Sequence, residues 1–434
     1  MSRFRRVPTA LAVGLCLCLA VSLATPAAGT DRNDTRHAEQ DSAGVYLVED
    51  TDTPALRTRI ADLGVDVLTA DDTSMTVVAD ADQLAGLRAV GRPLTFLADR
   101  EAYFGGAPED VPDGPSINAF PNGYQDYHDF AELTSALQQA AAEHSDLATL
   151  STIGTSAQGR NLWLMSITRA PAGSPEVLFT CQQHAREHLT REMCLRIVNR
   201  FTDSYGSDPA VTQLVNSRII RVIPSVNPDG AEYDHATGTF RGWRKNRQGQ
   251  GTDLNRNWGH QWGCCGGSSG SPSSDTYRGT SAFSAIETQR VRDYVASRVV
   301  GGDQRITAHI DFHTYSELVL WPYGYTYSDT GPGLSAQDAA AFRTLGTQMA
   351  RTNGYTPQQS SDLYITDGSI NDWMWAAHGI YSYTFEMYPR GGGLNGFYPI
   401  DDVIDRETAR NDAAVDLLLS YADCVPRVIG ASCG

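Results

Sequence analysis

The sequence predicts an α/β protein: a largely parallel or mixed β-sheet with helices on both faces, preceded by a small separate unit. Three observations carry this. Helix-length segments alternate with short apolar runs rich in β-branched and aromatic residues, as in strands joined by crossover helices. A unit of roughly 60 residues, marginal for an independent domain, lies between a hydrophobic leader and a Gly- and Pro-punctuated linker. No internal repeat or low-complexity tract interrupts the pattern; a Gly-Ser cluster over residues 263–274 reads as a long loop.

The leader comes first. Arg3, Arg5 and Arg6 precede an apolar run over 10–23 and small residues over 24–29. This is the three-part pattern of a secretory signal peptide, assigned to residues 1–29. The run is short for a membrane span, and no later stretch is long and apolar enough. Residues 30–42 are polar. Segments 45–48, 65–68 and 75–78 then read as strands, and 53–63 and 80–87 as helices. Thr53-Pro54 opens one helix and Asp80 caps the other. The stretch 105–116 is an exposed, protease-sensitive linker. A compact unit directly behind a leader and before such a linker reads as a pro-domain, assigned with the linker to residues 30–115. Beyond it, 127–144, 188–205, 285–298 and 336–353 read as helices. Segments 162–167, 176–181, 219–224, 306–312, 318–321 and 381–385 read as strands.

The chain has 434 residues and a net charge of −17. This balance argues against a nucleic-acid or acidic-membrane partner, which would need a basic face. Six cysteines follow the leader: Cys181, Cys194, Cys264, Cys265, Cys424 and Cys433. Their spacing matches no zinc finger, and in an exported chain they read as disulfides whose pairing the sequence leaves open.

Ligands of open α/β sheets bind beyond the carboxyl ends of strands. The run 176–181 is followed by His184, Arg186, Glu187 and His188. The run 306–312 is followed by His313, and 381–385 by Glu386. Zinc hydrolases use three nitrogen and oxygen ligands and keep one position for water. His184, Glu187 and His313 meet that requirement, whereas His188 opens the next helix and reads as a surface residue. Glu386 is either a general base beside the metal or a carboxylate paired with a buried arginine. Trp243, Trp258, Trp321 and Trp373 read as core or wall residues.

The constellation resembles the zinc carboxypeptidases of the pancreatic A and B family, and still more the bacterial carboxypeptidase T type. Seven segments in order carry the resemblance. They are Gln183-His184-Ala185-Arg186-Glu187-His188; Asn227-Pro228-Asp229-Gly230; Arg241 to Arg247 around Arg244; Asp253-Leu254-Asn255-Arg256-Asn257-Trp258; Asp311-Phe312-His313-Thr314-Tyr315; Leu363-Tyr364; and Tyr383-Thr384-Phe385-Glu386. It spans about residues 124–421.

The resemblance implies a twisted, mixed, mostly parallel sheet of about eight strands and a ferredoxin-like α+β activation domain. The catalytic domain would cover 116–423, with a short tail over 424–434. It implies one zinc on His184, Glu187 and His313, with Asp253 orienting His184. Glu386 would be the general base and Arg244 the oxyanion partner. Asn255 and Arg256 would bind a substrate's terminal carboxylate, Tyr364 would cover it, and Arg186 and Tyr315 would line the approach. Partners would be peptides or proteins with a free C-terminus and an activating protease. The protein would act as a secreted monomer; calcium is possible but unassigned.

The resemblance pairs Cys181 with Cys194. Cys424 with Cys433 would close the tail, leaving Cys264 and Cys265 adjacent. B-type enzymes carry an acid where this chain has Asn371, and the T type carries one where it has Ser369. Leu320, Gly324 and Thr384 complete that pocket. A preference for neutral, mainly apolar C-terminal residues follows, against which Asp367 and Asp372 must be weighed. A murein or D-amino-acid peptidase would bend the Asn255, Arg256 and Tyr364 set, and an inactive binding protein would lose a ligand or Glu386. A purely structural zinc would bring a fourth ligand and cysteines.

Overall fold

The computed structural model describes residues 43–105, 120–391 and 396–433. The leader and residues 106–116 of the linker lie outside the described residues.

In the N-terminal unit, alternating apolar residues make strands with one face to bury, and two short helices bury it. Strands Gly44–Glu49, Asp66–Ala70, Ser74–Ala79 and Leu94–Asp99 form an antiparallel sheet. In spatial order Asp66–Ala70 is one edge and Leu94–Asp99 the other. Helix Pro54–Ala61 is capped by Thr53, and Ala81–Val90 by a reciprocal Asp80–Gln83 capping box. The sequence reading gave both helices and three strands. It missed Leu94–Asp99 because that edge strand leaves Phe96 and Leu97 exposed and carries no buried alternation.

The second unit is built on an eight-stranded mixed sheet. Its spatial order is Thr356–Gln359, Leu318–Trp321, Tyr381–Met387, Ile306–Thr314, Glu176–Cys181, Ile219–Ile223, Asn161–Ile167 and Ala148–Thr155. The middle strands Tyr381–Met387, Ile306–Thr314, Glu176–Cys181 and Ile219–Ile223 run parallel to one another. Sequence reading missed Ala148–Thr155, an exposed edge strand of small and hydroxylated residues with no apolar run to mark it.

Side-chain alternation along the middle strands decides where function can sit. One face carries Val177 and Phe179, then Ala308, Ile310 and Phe312, then Tyr381, Tyr383 and Phe385. It joins the large core under helices Phe130–Glu143, His188–Asp203 and Ala336–Asn353. The opposite face carries Thr180; His309, Asp311 and His313; and Ser382, Thr384 and Glu386. The pairing register sets His309 beside Ser382, Asp311 beside Thr384 and Thr180, and His313 beside Glu386. This polar strip runs toward the carboxyl ends of the strands. Helices Ile286–Ser297 and Ile370–His378 cover the same side through a second core that includes Leu178 and Trp258.

Disulfides join Cys181 to Cys194, Cys264 to Cys265, and Cys424 to Cys433. The first ties a central strand to the helix His188–Asp203, closing the loop that holds His184 and Glu187. Replacing both Cys181 and Cys194 by Ala lowers the unfolding free energy by about 2 to 4 kcal/mol. Urea unfolding of the full chain checks this, and an unchanged midpoint refutes it.

Candidate metal centre and active site

His184 and Glu187 lie on the turn between strand Glu176–Cys181 and helix His188–Asp203. The turn is pinned from outside: Asn227 Nδ2 donates to Gln183 O at 3.0 Å, and Ala185 N donates to Arg244 O at 3.0 Å. His184 Nδ1 lies 2.8 Å from Glu187 Oε1, and His313 Nδ1 lies 2.9 Å from Glu187 Oε2. The two Nδ1 atoms are 3.1 Å apart.

Each outer ring nitrogen is held by a second carboxylate. His184 Nε2 meets Asp253 Oδ1 at 3.0 Å, and His313 Nε2 meets Asp311 Oδ2 at 2.5 Å. Carboxylates face both nitrogens of each ring, Glu187 the Nδ1 atoms and Asp253 or Asp311 the Nε2 atoms; with a cation beside Glu187, each Nε2 keeps its proton for the outer carboxylate and each Nδ1 turns a lone pair to the ion. Two imidazole lone pairs and a carboxylate therefore converge, their ligand atoms within 4.8 Å of one another. Such a buried, donor-free focus fits a divalent cation, and its N, N, O set without sulfur fits a zinc that keeps an open position.

Asp253 is shared. It bonds His184, accepts Arg244 Nε at 3.0 Å and caps Asn255 N at 2.9 Å. Burial works to raise its pKa, but Arg244 and His184 outweigh burial and hold it well below the usual carboxylate range. Asp311 lies in the matched run two residues before His313, where the sequence alone gives it no role. It accepts from Thr180 Oγ1, Gln183 Nε2 and His313 Nε2, each at 2.5 Å. A signal was present: residues two apart on a strand share a face, so the Asp of Asp-Phe-His had to point with the His.

Glu386 faces the same pocket from the strand beside His313. Burial pushes its carboxyl up to about 7; nearby Glu187 adds to this, whereas His313 and Arg244 pull it down. Asn255 Oδ1 accepts Ile370 N at 2.9 Å, which turns its amide nitrogen toward the pocket side. Arg256 donates Nε to Gly267 O and Nη1 to Asn255 O. It makes no ion pair among the described residues, so it is not a structural salt bridge there. His184, Glu187, Arg244, Asn255, Arg256, Tyr315, Tyr364, Asn371 and Glu386 line one pocket, with Asp253 and His313 behind it.

His188 is a correction. It is not a surface residue but is buried, with Nε2 3.0 Å from Asp234 Oδ2 and its ring edge-on to Phe120.

The pocket is roofed by the N-terminal unit. Val67, Leu68, Thr69 and Ala70 of its edge strand line the cavity, which measures about 90 Å³. Arg186 is fully buried and forks onto Asp66 at 2.5 and 2.9 Å, stacking 4.1 Å from the Phe397 ring centroid. Arg57 donates to Leu363 O at 2.6 Å and Asp362 O at 2.7 Å, gripping the turn that carries Tyr364. Sequence reading gave neither Asp66 nor Arg57 a role, since nothing local marks a partner more than 100 residues away.

The family profile described as "Zinc carboxypeptidase" matches residues 133–414. A "Zinc carboxypeptidase" of Saccharothrix mutabilis subsp. capreolus is 52% identical over 442 aligned positions, covering 100% of both chains. "Carboxypeptidase B" of Bos taurus is 30% identical, covering 69% of this chain and 72% of its own. The crystal structure of carboxypeptidase A from Helicoverpa armigera superposes with a TM-score of 0.69. It covers 90% of this chain and 98% of its own at 24% identity, a likeness of fold.

Replacing Asp253 or Asp311 by Asn frees the histidine behind each and weakens zinc affinity by about 10- to 100-fold. Competition with a chromophoric chelator measures it; unchanged affinity in both variants refutes the orienting role.

Proposed function

The chain belongs to the zinc carboxypeptidase family, whose members are metallo-exopeptidases, and we propose that it is made as a secreted zymogen that releases neutral, mainly apolar C-terminal residues. The observation that carries this reading is one pocket joining the His184, Glu187 and His313 focus to Glu386, Arg244, Asn255, Arg256 and Tyr364.

His184, Glu187 and His313 would hold a zinc ion, which would supply Lewis acidity toward a peptide carbonyl and lower the pKa of a nearby water. Glu386 takes the proton from the attacking water as its oxygen bonds to the carbonyl carbon. Arg244 faces the oxygen that gains charge, held in place by Asp253. The C–N bond then breaks, and Glu386 hands the proton to the departing amine. Arg256 and Asn255 receive the terminal carboxylate, and Tyr364 closes over it. This clamp confines cleavage to chain ends.

The zymogen reading rests on the roof. A cavity of about 90 Å³ is below the roughly 300 to 1,000 Å³ of ligand pockets. Arg186 and Tyr315, assigned to the approach of the penultimate residues, are occupied by Asp66 and by Tyr103 of the N-terminal unit. A protease cutting within 105–116 would release that unit. The basic and apolar leader supports export, as do three disulfides, which need an oxidising compartment. No helix among the described residues is long and apolar enough to cross a membrane. The enzyme acts as a monomer in this reading.

The neutral preference rests on the pocket wall. Ser369 and Asn371 carry no charge. Asp367 accepts Cys265 N at 3.0 Å and Ser268 Oγ, and Asp372 accepts Gly324 N at 2.9 Å. Both acids are spent on loop backbone and lie outside the pocket lining.

The processed enzyme releases C-terminal Phe or Leu from blocked dipeptides, and release stops with a zinc chelator or a C-terminal amide. Glu386→Gln lowers kcat/KM by about 100- to 10,000-fold. The deprotonated carboxylate is the base, so kcat/KM falls as pH drops through its pKa. This acid limb lies at or below about 7 and is lost in the variant. No release by folded, zinc-loaded, processed protein would sink the proposal. Separately, kcat/KM for Phe or Leu exceeds that for Lys by about tenfold or more; the reverse order in a substrate series would overturn the neutral pocket.

A further inference from the structure

His309 takes no part in the chemistry above, yet it lies fully buried in the polar strip between the metal centre and the pocket wall. Its bonds can be read with direction. Asp311 only accepts, so Thr180 Oγ1, 2.5 Å from Asp311 Oδ1, spends its single proton there. Thr180 can then only accept from His309 Nε2, 2.8 Å away. The imidazole is therefore protonated on Nε2. Burial keeps it neutral, lowering its pKa to about 4 against the pull of Asp311. Its bare Nδ1 accepts from Ser382 Oγ at 2.7 Å. Ser382 has no second proton, so it must accept from Asn371, whose Nδ2 lies 2.9 Å away. Asn371 Oδ1 in turn accepts Thr384 Oγ1 at 2.6 Å.

We propose that His309 is a positioning residue: anchored on Asp311 through Thr180, it locks Asn371 in one amide orientation through Ser382 and makes the pocket wall present acceptors. The opposite flip of Asn371 would need Ser382 to donate to it and His309 to donate from both nitrogens. That would put an imidazolium in a dry site. With the observed order, Thr384 has no proton left for the pocket and offers lone pairs. Resting on the exopeptidase reading, this refines the substrate class. Among neutral C-terminal side chains, those that are apolar or whose tips donate are accepted; a tip that only accepts meets a lone pair. Such mismatches are costly because a buried polar group is left unpaired. The strip couples the wall to the metal centre, since Asp311 holds His313 as well.

Two measurements test this. Nitrogen-15 NMR of the zinc-loaded, uncleaved full chain reads the tautomer without any substrate. His309 shows protonated Nε2 and bare Nδ1 throughout about pH 5 to 8. A charged or Nδ1-protonated ring overturns the relay whether or not the protein is a peptidase. The second uses protein folded as the full chain and then cleaved in its linker. Blocked dipeptides ending in Gln or in the near-isosteric methionine sulfoxide, which only accepts, are compared. The wild type favours Gln by about tenfold, and Ser382→Ala brings the ratio toward one through KM, with kcat and zinc affinity held. A wild-type ratio near one, or a ratio untouched by Ser382→Ala, overturns the proposal. Failure to cleave any C-terminal residue would instead sink the exopeptidase reading and leave the NMR result to decide the relay.

Discussion

A polar strip laid along one face of a buried parallel sheet has to satisfy every hydrogen bond without water, and the rest of this structure is arranged around that demand. Buried strands of parallel sheets are ordinarily apolar on both faces. Here Ile306–Thr314 and Tyr381–Met387 are apolar on one face only. The other face offers His309, Asp311, His313, Ser382, Thr384 and Glu386. Unpaired, each would cost on the order of 1 to 3 kcal/mol or more. The in-register pairing sets His309 beside Ser382 and Asp311 beside Thr180, and Gln183, Glu187 and Asn371 reach in from loop and helix to satisfy the neighbours. Glu386 ends the row. Its carboxyl faces the pocket, where a proton can be taken up and passed on.

Accept-only carboxylates orient the strip. Asp253 and Asp311 sit behind His184 and His313, and each holds the outer Nε2 of its imidazole so that Nδ1 faces Glu187. Asp253 also aligns Arg244 and the backbone of Asn255, so the groups proposed as metal ligand, oxyanion partner and carboxylate clamp share one anchor. A slip of one residue along Ile306–Thr314 would send His309, Asp311 and His313 to the opposite face. The tightly packed apolar core opposite, with Phe179, Phe312 and Phe385, is what holds that register.

The N-terminal unit exploits the same arrangement from outside. Asp66 binds the one charged side chain of the metal loop that is not a ligand, Arg186, and Arg57 grips the turn before Tyr364. A buried arginine deprived of its carboxylate is strongly unfavourable unless another replaces it or water reaches it. In the proposed zymogen, removal of the unit would leave Arg186 solvated and free to meet substrate, and one residue would then serve both the closed and the open form.

The sequence by itself determined the fold class, the family and the His184, Glu187 and His313 group that the fold brings together, because these depend on local signals. Strand and helix periodicity, the histidines and glutamates at strand ends, and ordered matched segments are all readable along the chain. Edge strands such as Leu94–Asp99 and Ala148–Thr155 were not legible, since an edge needs no apolar alternation. His188 was misread for a related reason: its burial depends on Asp234 and Phe120, far along the chain. Asp311, His309 and Ser382 were in view but not interpretable. Only the pairing of strands distant in sequence decides which polar residues face one another. Likewise, only tertiary packing sets Asp66 against Arg186, and turns Asp367 and Asp372 away from the pocket onto loop backbone. Periodicity tells which face a side chain takes; what it meets there is set by elements the local sequence does not contain.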